Sequence, residues 1–334
     1  MGTQSRESNP QVKRSTLAWR FCLKAIRSGM RRLRPADQTK PDRELDPDKV
    51  SAILLEALES PMPSMIARFG STELSCLANY LGVVQGRASV TDFLLGRGQQ
   101  WWWNPSVLQQ MERWSGFFPP TEDMALRFGE RMLQDIPLID VLGSWLPDER
   151  IFAKELATTR MVELELLNPY FSKVPWTRAL EGKKVLVIHP FSSTIRSQYA
   201  KRSLIFPNGL LPEFELSTIR AVQSLGGEPT GFDDWFQALD SMVAKMEKTD
   251  FDICLAGCGA YGLPLAAHAK RMGKKGFHLG GSLQLLFGIR GKRWDNPDYN
   301  PDYNFAELIN EHWVKPGTAE RPANADKVEG ACYW

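Results

Sequence analysis

The chain has 334 residues, 43% hydrophobic and 24% charged, an ordinary globular balance with enough apolar mass for one large or two modest α/β units. No long uninterrupted apolar segment is present, which excludes a spanning helix, and the basic N-terminus lacks the apolar core and cleavage site of a signal peptide. Residues 1–34 hold nine Lys/Arg and one acid (net +8), whereas the rest hold 32 basic and 38 acidic residues (net −6), so a mildly acidic body is not expected to bind nucleic acid.

Residues 1–14 are polar. From Ser15 to Arg34, Trp19, Cys22, Ile26, Met30 and Leu33 recur every three or four positions among arginines, the pattern of a basic amphipathic helix. Three readings stand: a helix resting on an anionic membrane surface, with Trp19 and Phe21 at headgroup level, a helix that caps the domain, or a solvated basic arm. Residues 35–46 read as a linker, so 1–45 form one unit, 46–294 the body and 295–334 a tail. Asp46 with Pro47 starts a helix to about Ser60. Met65–Ala67 is a strand stopped by Arg68, followed by a turn at Gly70 and a helix over about Thr72–Tyr80. Residues 82–103 read as loop. Helices are expected from Asn104 to Trp114 and from Thr121 to before Pro137, then a strand at Pro137–Leu142 and a long helix over Asp148–Leu167.

The second half alternates more plainly. Lys184–His189 and Phe251–Ala256 are near-continuous apolar runs, as strands buried on both faces require. Between them a helix is expected at Leu216–Leu225, a weak strand at Glu228–Phe232 and a helix at Phe236–Lys248. A helix at Leu263–Met272 and a short strand at Phe277–Leu279 follow. Such alternation implies a parallel sheet flanked by helices, an α/β Rossmann-like fold, with the basic helix before it and an irregular aromatic-rich tail packed back on it. The cysteines are five, and none makes a CxxC pair beside His; Cys254 and Cys258 lie in or beside an apolar strand as small hydrophobes. A reduced cytoplasmic setting is expected, with residues 15–34 as a peripheral contact to the inner membrane face.

In open α/β sheets ligands bind at the carboxyl ends of strands. Four such places carry suitable chemistry. At Arg68, Gly70, Ser71, Thr72 and Glu73, a guanidinium and hydroxyls meet free backbone N–H groups at a helix start, which suits a phosphate. Arg68 either clamps that phosphate or pairs with Glu73; Glu73 either ligates a divalent cation or complements the helix dipole. His189, Ser192, Ser193, Thr194 and Arg196 follow a buried strand, where the hydroxyls serve as phosphate ligands or helix caps and His189 as ligand or core. Asp233 and Asp234 precede Trp235; Asp233 is the candidate general base, or else a helix cap. Gly257–Gly262 reads GCGAYG, with Gly257, Gly259 and Tyr261 as a phosphate cradle or as tight strand–helix packing; no acid stands about twenty residues on, as a dinucleotide fingerprint requires. His278, before Gly280–Gly281, completes the set.

The segment IARFGSTEL resembles the R-F-G-D-G-E stretch of bacterial GT-D-type glycosyltransferases, which act in surface glycan and adhesin glycosylation. KKVLVIHPF and FDICLAGCGAYGLPLAAHAKRMGKKGFHLGG are similar to that family in the order of apolar strand, small-residue turn, helix and final strand ending in glycine. The resemblance covers about Ile53 to Trp294. It implies a nucleotide-sugar donor, a glycan or protein acceptor, a place in surface polysaccharide biosynthesis, and a D-x-E motif holding a metal–pyrophosphate. The family's arginine falls on Arg68 and its second acid on Glu73, the implied metal ligand for Mn²⁺ or Mg²⁺. Its first acid falls on Ser71, and one carboxylate with one hydroxyl makes a poorer cation site than two carboxylates. A non-catalytic nucleotide-sugar or glycan-binding component, or another sugar-modifying transferase of the pyruvyl transferase kind, also fits these residues.

Overall fold

The computed structural model describes residues 14–33, 39–86, 89–96, 98–300, 302–327 and 331–334. Its elements are α1 (Arg14–Leu33), α2 (Pro47–Glu59), β1 (Ser64–Arg68), α3 (Ser71–Gln85), α4 (Val90–Leu94), α5 (Pro105–Ser115), α6 (Glu122–Asp135), β2 (Val141–Ser144), β3 (Arg160–Glu163), β4 (Lys184–His189), α7 (Ser192–Tyr199), α8 (Arg202–Ile205), β5 (Glu215–Arg220), α9 (Trp235–Met246), β6 (Ile253–Ala256), α10 (Gly262–Arg271), β7 (Lys275–His278) and α11 (Lys292–Asp295), with short 3₁₀ turns between them. The strands form one seven-stranded sheet in the order β3-β2-β1-β7-β6-β4-β5. Every pairing is parallel; Ile66 of β1, for example, lies between Val141 of β2 and Phe277 of β7. The chain is therefore an α/β protein of Rossmann-like architecture.

Strand side chains alternate between faces, and the core divides accordingly. Met65, Ala67, Leu186, Ile188 and Cys254 pack with α3, α5, α6, α9 and α10 on one face. Ile66, Val141, Val185, Val187 and Phe277 pack with α2, α7 and α8 on the other, where Trp294, Trp313 and Trp334 join them. Leftward connections in the strand order, such as β6 to β7, run over the first face, and the rightward β4 to β5 connection runs over the second. The direction changes between β6 and β4, which makes a crevice at their carboxyl ends.

Helix starts follow their caps. The Asp46 side chain accepts from Asp48 and Lys49 N–H ahead of Pro47, and Asn104 and Thr121 do the same for α5 and α6. Helix α1 lies on a small separate cluster. Leu23 is buried with Phe93 and Trp102, Lys24 donates to Asn104 at 3.0 Å, and Trp19, Phe21 and Ile26 stay exposed.

Several segments differ from the sequence expectation. Residues 82–103, read as loop, hold the end of α3 and the helix α4, which starts at a Ser89 cap that accepts from Asp92 N–H. Residues 148–167 are not one helix. Buried Glu149 accepts from Ser144 Oγ and from the Trp145 and Leu146 N–H groups, which curls the chain into a 3₁₀ turn, and β3 then pairs along β2. Residues 215–220 form β5 rather than a helix because β4 offers them a six-residue ladder. The strand expected at 137–142 begins at Val141, after a 3₁₀ turn at Ile136–Leu138. No strand forms over 228–232. Glu44, in the expected linker, bridges to Val162 at the sheet edge, where Arg43 pairs with Glu163 at 2.6 Å.

Candidate functional site

Four adjacent strands, β1, β7, β6 and β4, end on one cavity of about 170 Å³. Arg68, His278, Gly257 and His189 stand at those ends, and Gly70–Glu73 at the start of α3 close one side. Gly257 is squeezed there: a Cβ on it would lie 2.6 Å from the Gly280 carbonyl oxygen and 2.8 Å from the His189 ring. Only glycine lets these strand ends come so near.

Arg68 is half-buried and makes no hydrogen bond or ion pair with any described residue. Its guanidinium lies over the Trp145 ring, 5.3 Å from the centroid, and its stem passes Gly280. Trp145 is fixed by its indole N–H, which donates to the Phe69 carbonyl at 3.0 Å, and by the Glu149 turn. Glu73 curls back over Gly70, where a Cβ would collide with its carboxylate. Gly70 supplies no side-chain cap to α3, so no side chain of the cap residue covers the N–H groups of its first turn.

The two histidines are neutral. Burial lowers His189 to about 3 and His278 to about 3, the latter aided by the Arg68 charge. His189 Nδ1 accepts from Phe191 N–H at 3.0 Å, which leaves its proton on Nε2. His278 Nδ1 faces the Ala256 carbonyl at 3.4 Å. Burial raises the Cys258 thiol well above its ordinary range, so it stays protonated.

Three buried polar atoms of residues on this cavity have no hydrogen-bond partner among the described residues: Gln223 Nε2, Gln284 Oε1 and Trp334 Nε1. Gln284 is fully buried, and its amide nitrogen holds the Ile289 and Tyr333 carbonyls at 3.2 Å each. Buried polar atoms are rarely left unpaired, so these three mark the packing around the cavity as incomplete in hydrogen bonds among the described residues.

Of the residues singled out in the sequence, Arg68, Gly70, Ser71, Thr72, Glu73, His189, Gly257, Gly259, Tyr261 and His278 line this cavity. Five do not. Ser192 is buried beside it, and the N-terminus of α7 already holds a carboxylate: Glu320 accepts from Ser193 N–H at 2.7 Å and from Thr194 N–H at 3.2 Å and its hydroxyl. That internal anion takes the place expected for a phosphate at Ser193 and Thr194. Arg196 donates to Thr218 at 2.7 Å. Asp233 lies exposed beside Gln237 at the start of α9, not at a strand end, and Asp234 caps that helix. Trp235 is core, stacked on Tyr261 at 5.1 Å. Tyr261 itself is tied to Ser224 at 3.1 Å.

Sequence reading missed the opposite wall, made by Trp114, Trp145, Gln223, Gln284, Arg293, Tyr333 and Trp334. Arg293 lies over the rings of Trp294, Tyr299 and Tyr333 at 5.8, 5.7 and 5.0 Å. Glu73 is the only carboxylate on the cavity wall among the described residues, against two guanidiniums. No group of three or more His, Cys, Asp or Glu there is arranged to hold a metal.

Fold and site together define an α/β protein with a positively charged cleft at the carboxyl edge of its sheet. No protein-family model and no curated protein matches the chain. Among solved structures, one described as the selenomethionine-substituted structure of domain of unknown function 1792 (DUF1792) is similar over 87% of this chain and 98% of its own, at 10% identity and a TM-score of 0.38. So loose a likeness carries no inference about activity. No helix among the described residues is long and apolar enough to cross a membrane.

Proposed function

We propose that the chain binds a nucleotide-diphosphate sugar in the cleft at the β1, β7, β6 and β4 ends and transfers the sugar to a hydroxyl of a glycan or protein. The observation that carries this reading is Arg68, a half-buried cation that makes no hydrogen bond or ion pair with a described residue, set at a strand end beside the start of α3, whose N-cap glycine carries no side chain. A guanidinium and first-turn N–H groups are the donors a diphosphate accepts from. In transfer the bond from the anomeric carbon to the diphosphate oxygen breaks, and its electron pair stays on the diphosphate. A cation already fixed over Trp145 meets that charge without reorganising. The neutral histidines add donors and acceptors to the wall without adding charge.

The residues around Glu73 make a poor site for a divalent cation. A hard ion takes several oxygen ligands with anionic ones among them, and this wall supplies one carboxylate beside two arginines. The diphosphate is therefore assigned to arginine directly. The lone carboxylate also favours a second reading, a module that binds the donor without turning it over.

Titration calorimetry of the full chain with UDP, in EDTA and in Mn²⁺, tests the first reading. Binding is expected in EDTA and weakened about 30-fold or more in Arg68→Ala, as for loss of a charge-assisted bidentate contact. UDP that fails to bind, or that binds Arg68→Ala as well as wild type, overturns it. Binding without transfer from any UDP-sugar selects the second reading.

A further inference from the structure

A second cavity, of about 540 Å³, opens beside the first at the β2 and β3 ends, and the two share Trp145 as a wall. Its lining differs in kind. Trp145, Tyr299 and Tyr303 give aromatic faces, Glu163, Glu165 and Asp302 give carboxylates, Asn300 gives an amide, and Lys40 and Arg43 give cations. Stacking faces interleaved with hydrogen-bond acceptors suit a ring that carries hydroxyl groups, apolar on its faces and polar at its edge.

The carboxylates are not equivalent. Glu163 is taken by Arg43, which donates to it at 2.7 Å. Glu165 makes no ion pair with a described cation; it is hydrogen-bonded by the Asn168 amide, at 3.4 Å, and by Asn300. It lines the second cavity, within electrostatic reach of two arginines of the first. Arg68 of the first cavity sits over Trp145, and Arg293 of the first sits over Tyr299 of the second. Both arginine charges reach Glu165 and pull its carboxyl down, yet burial, with Glu163 beside it, outweighs them and holds it above the ordinary carboxylate range. A carboxylate made more basic by burial, next to the cations that hold a leaving diphosphate, is placed as a general base.

We propose that the second cavity is the acceptor subsite, binding a sugar through Tyr299 and Tyr303, and that Glu165 is the catalytic base. This rests on the donor reading of the first cavity. Glu165 takes the proton from the acceptor hydroxyl as that oxygen bonds to the anomeric carbon. The bond to the diphosphate breaks, and its electron pair departs with the diphosphate against Arg68. The role assigned to Asp233 in the sequence thereby passes to Glu165.

Saturation-transfer NMR on the full chain separates the two cavities. UDP probes the first; p-nitrophenyl glycosides of glucose, galactose, mannose and N-acetylglucosamine probe the second. At least one glycoside is expected to give a signal that Tyr303→Ala removes and Arg68→Ala retains, with UDP showing the opposite pattern. If UDP binds and none of the four glycosides does, the acceptor subsite is overturned while the donor reading stands; if UDP does not bind, the donor reading has failed. The base is tested with the glycoside that binds and the UDP-sugars of the same four residues, with product read by mass spectrometry. Glu165→Gln should bind both probes as wild type does and lose transfer about 100-fold or more. Transfer at the wild-type rate in Glu165→Gln overturns the base assignment, and so does a wild type that binds both probes and transfers nothing.

Discussion

At the residue scale, the cleft depends on side chains that are missing. The His278 ring lies where a Cβ on Gly262 would be, and the ring is confined by the strand that carries it. Gly262→Ala must push a buried imidazole aside, and such overpacking costs about 1–3 kcal/mol. Gly70→Ala meets only the far end of the flexible Glu73 side chain, which can shift more cheaply than a packed ring. Its cost is expected under about 1 kcal/mol, since flexible surface groups adjust cheaply. Urea unfolding of the two variants in parallel checks this; equal losses would show that His278 is not held as described.

At the scale of elements, α7 shows how one helix terminus is spent. The Glu320 carboxylate, from a segment about 126 residues later, is buried on the Ser193 and Thr194 N–H groups and ties the tail to the second face of the sheet. Glu320→Ala leaves those donors unpaired in a buried place and should cost about 2–3 kcal/mol. Chemical denaturation measures it, and a loss within error of zero would mean that solvent already satisfies the helix start. The same scale explains what could be read from the sequence. Strands β4 and β6 are buried on both faces, so KVLVIH and ICLA stand out as unbroken apolar runs. The edge strands β3 and β5 pair with one strand each and are half-exposed. In β5 and the residues after it, Leu216, Ile219, Val222 and Leu225 recur every three positions, a helical spacing that the ladder along β4 overrides.

At the scale of the whole molecule, one wall of the cleft was legible and the other was not. Arg68, Glu73, His189, Gly257 and His278 follow strands, and the rule that ligands meet strand ends finds them locally. Gln284 and Arg293 come from the irregular chain after the last strand and Trp334 from the tail folded back on the sheet, and Glu165 follows an edge strand that read as helix. Bringing strand ends together also buries two histidines, and that couples the fold to pH. Both have an ordinary value of 6.5 and are lowered to about 3 in the fold. Above pH 6.5 both states are neutral and the pair contributes nothing. As pH falls from 6.5 toward 3, the unfolded chain takes up protons that the folded one refuses, so stability declines. At pH 5 the cost reaches roughly 2 kcal/mol per histidine, from about 1.5 units at about 1.4 kcal/mol each. Buried Glu149 and Glu165, raised by desolvation, act in the opposite sense above 4.5 and offset part of it. Urea midpoints of the wild type should therefore drop between pH 7 and pH 5. A His189→Gln/His278→Gln double variant, destabilised at pH 7 but unable to take up those protons, should show a flatter profile; equal slopes in the two proteins would assign the acid sensitivity to groups outside the cleft.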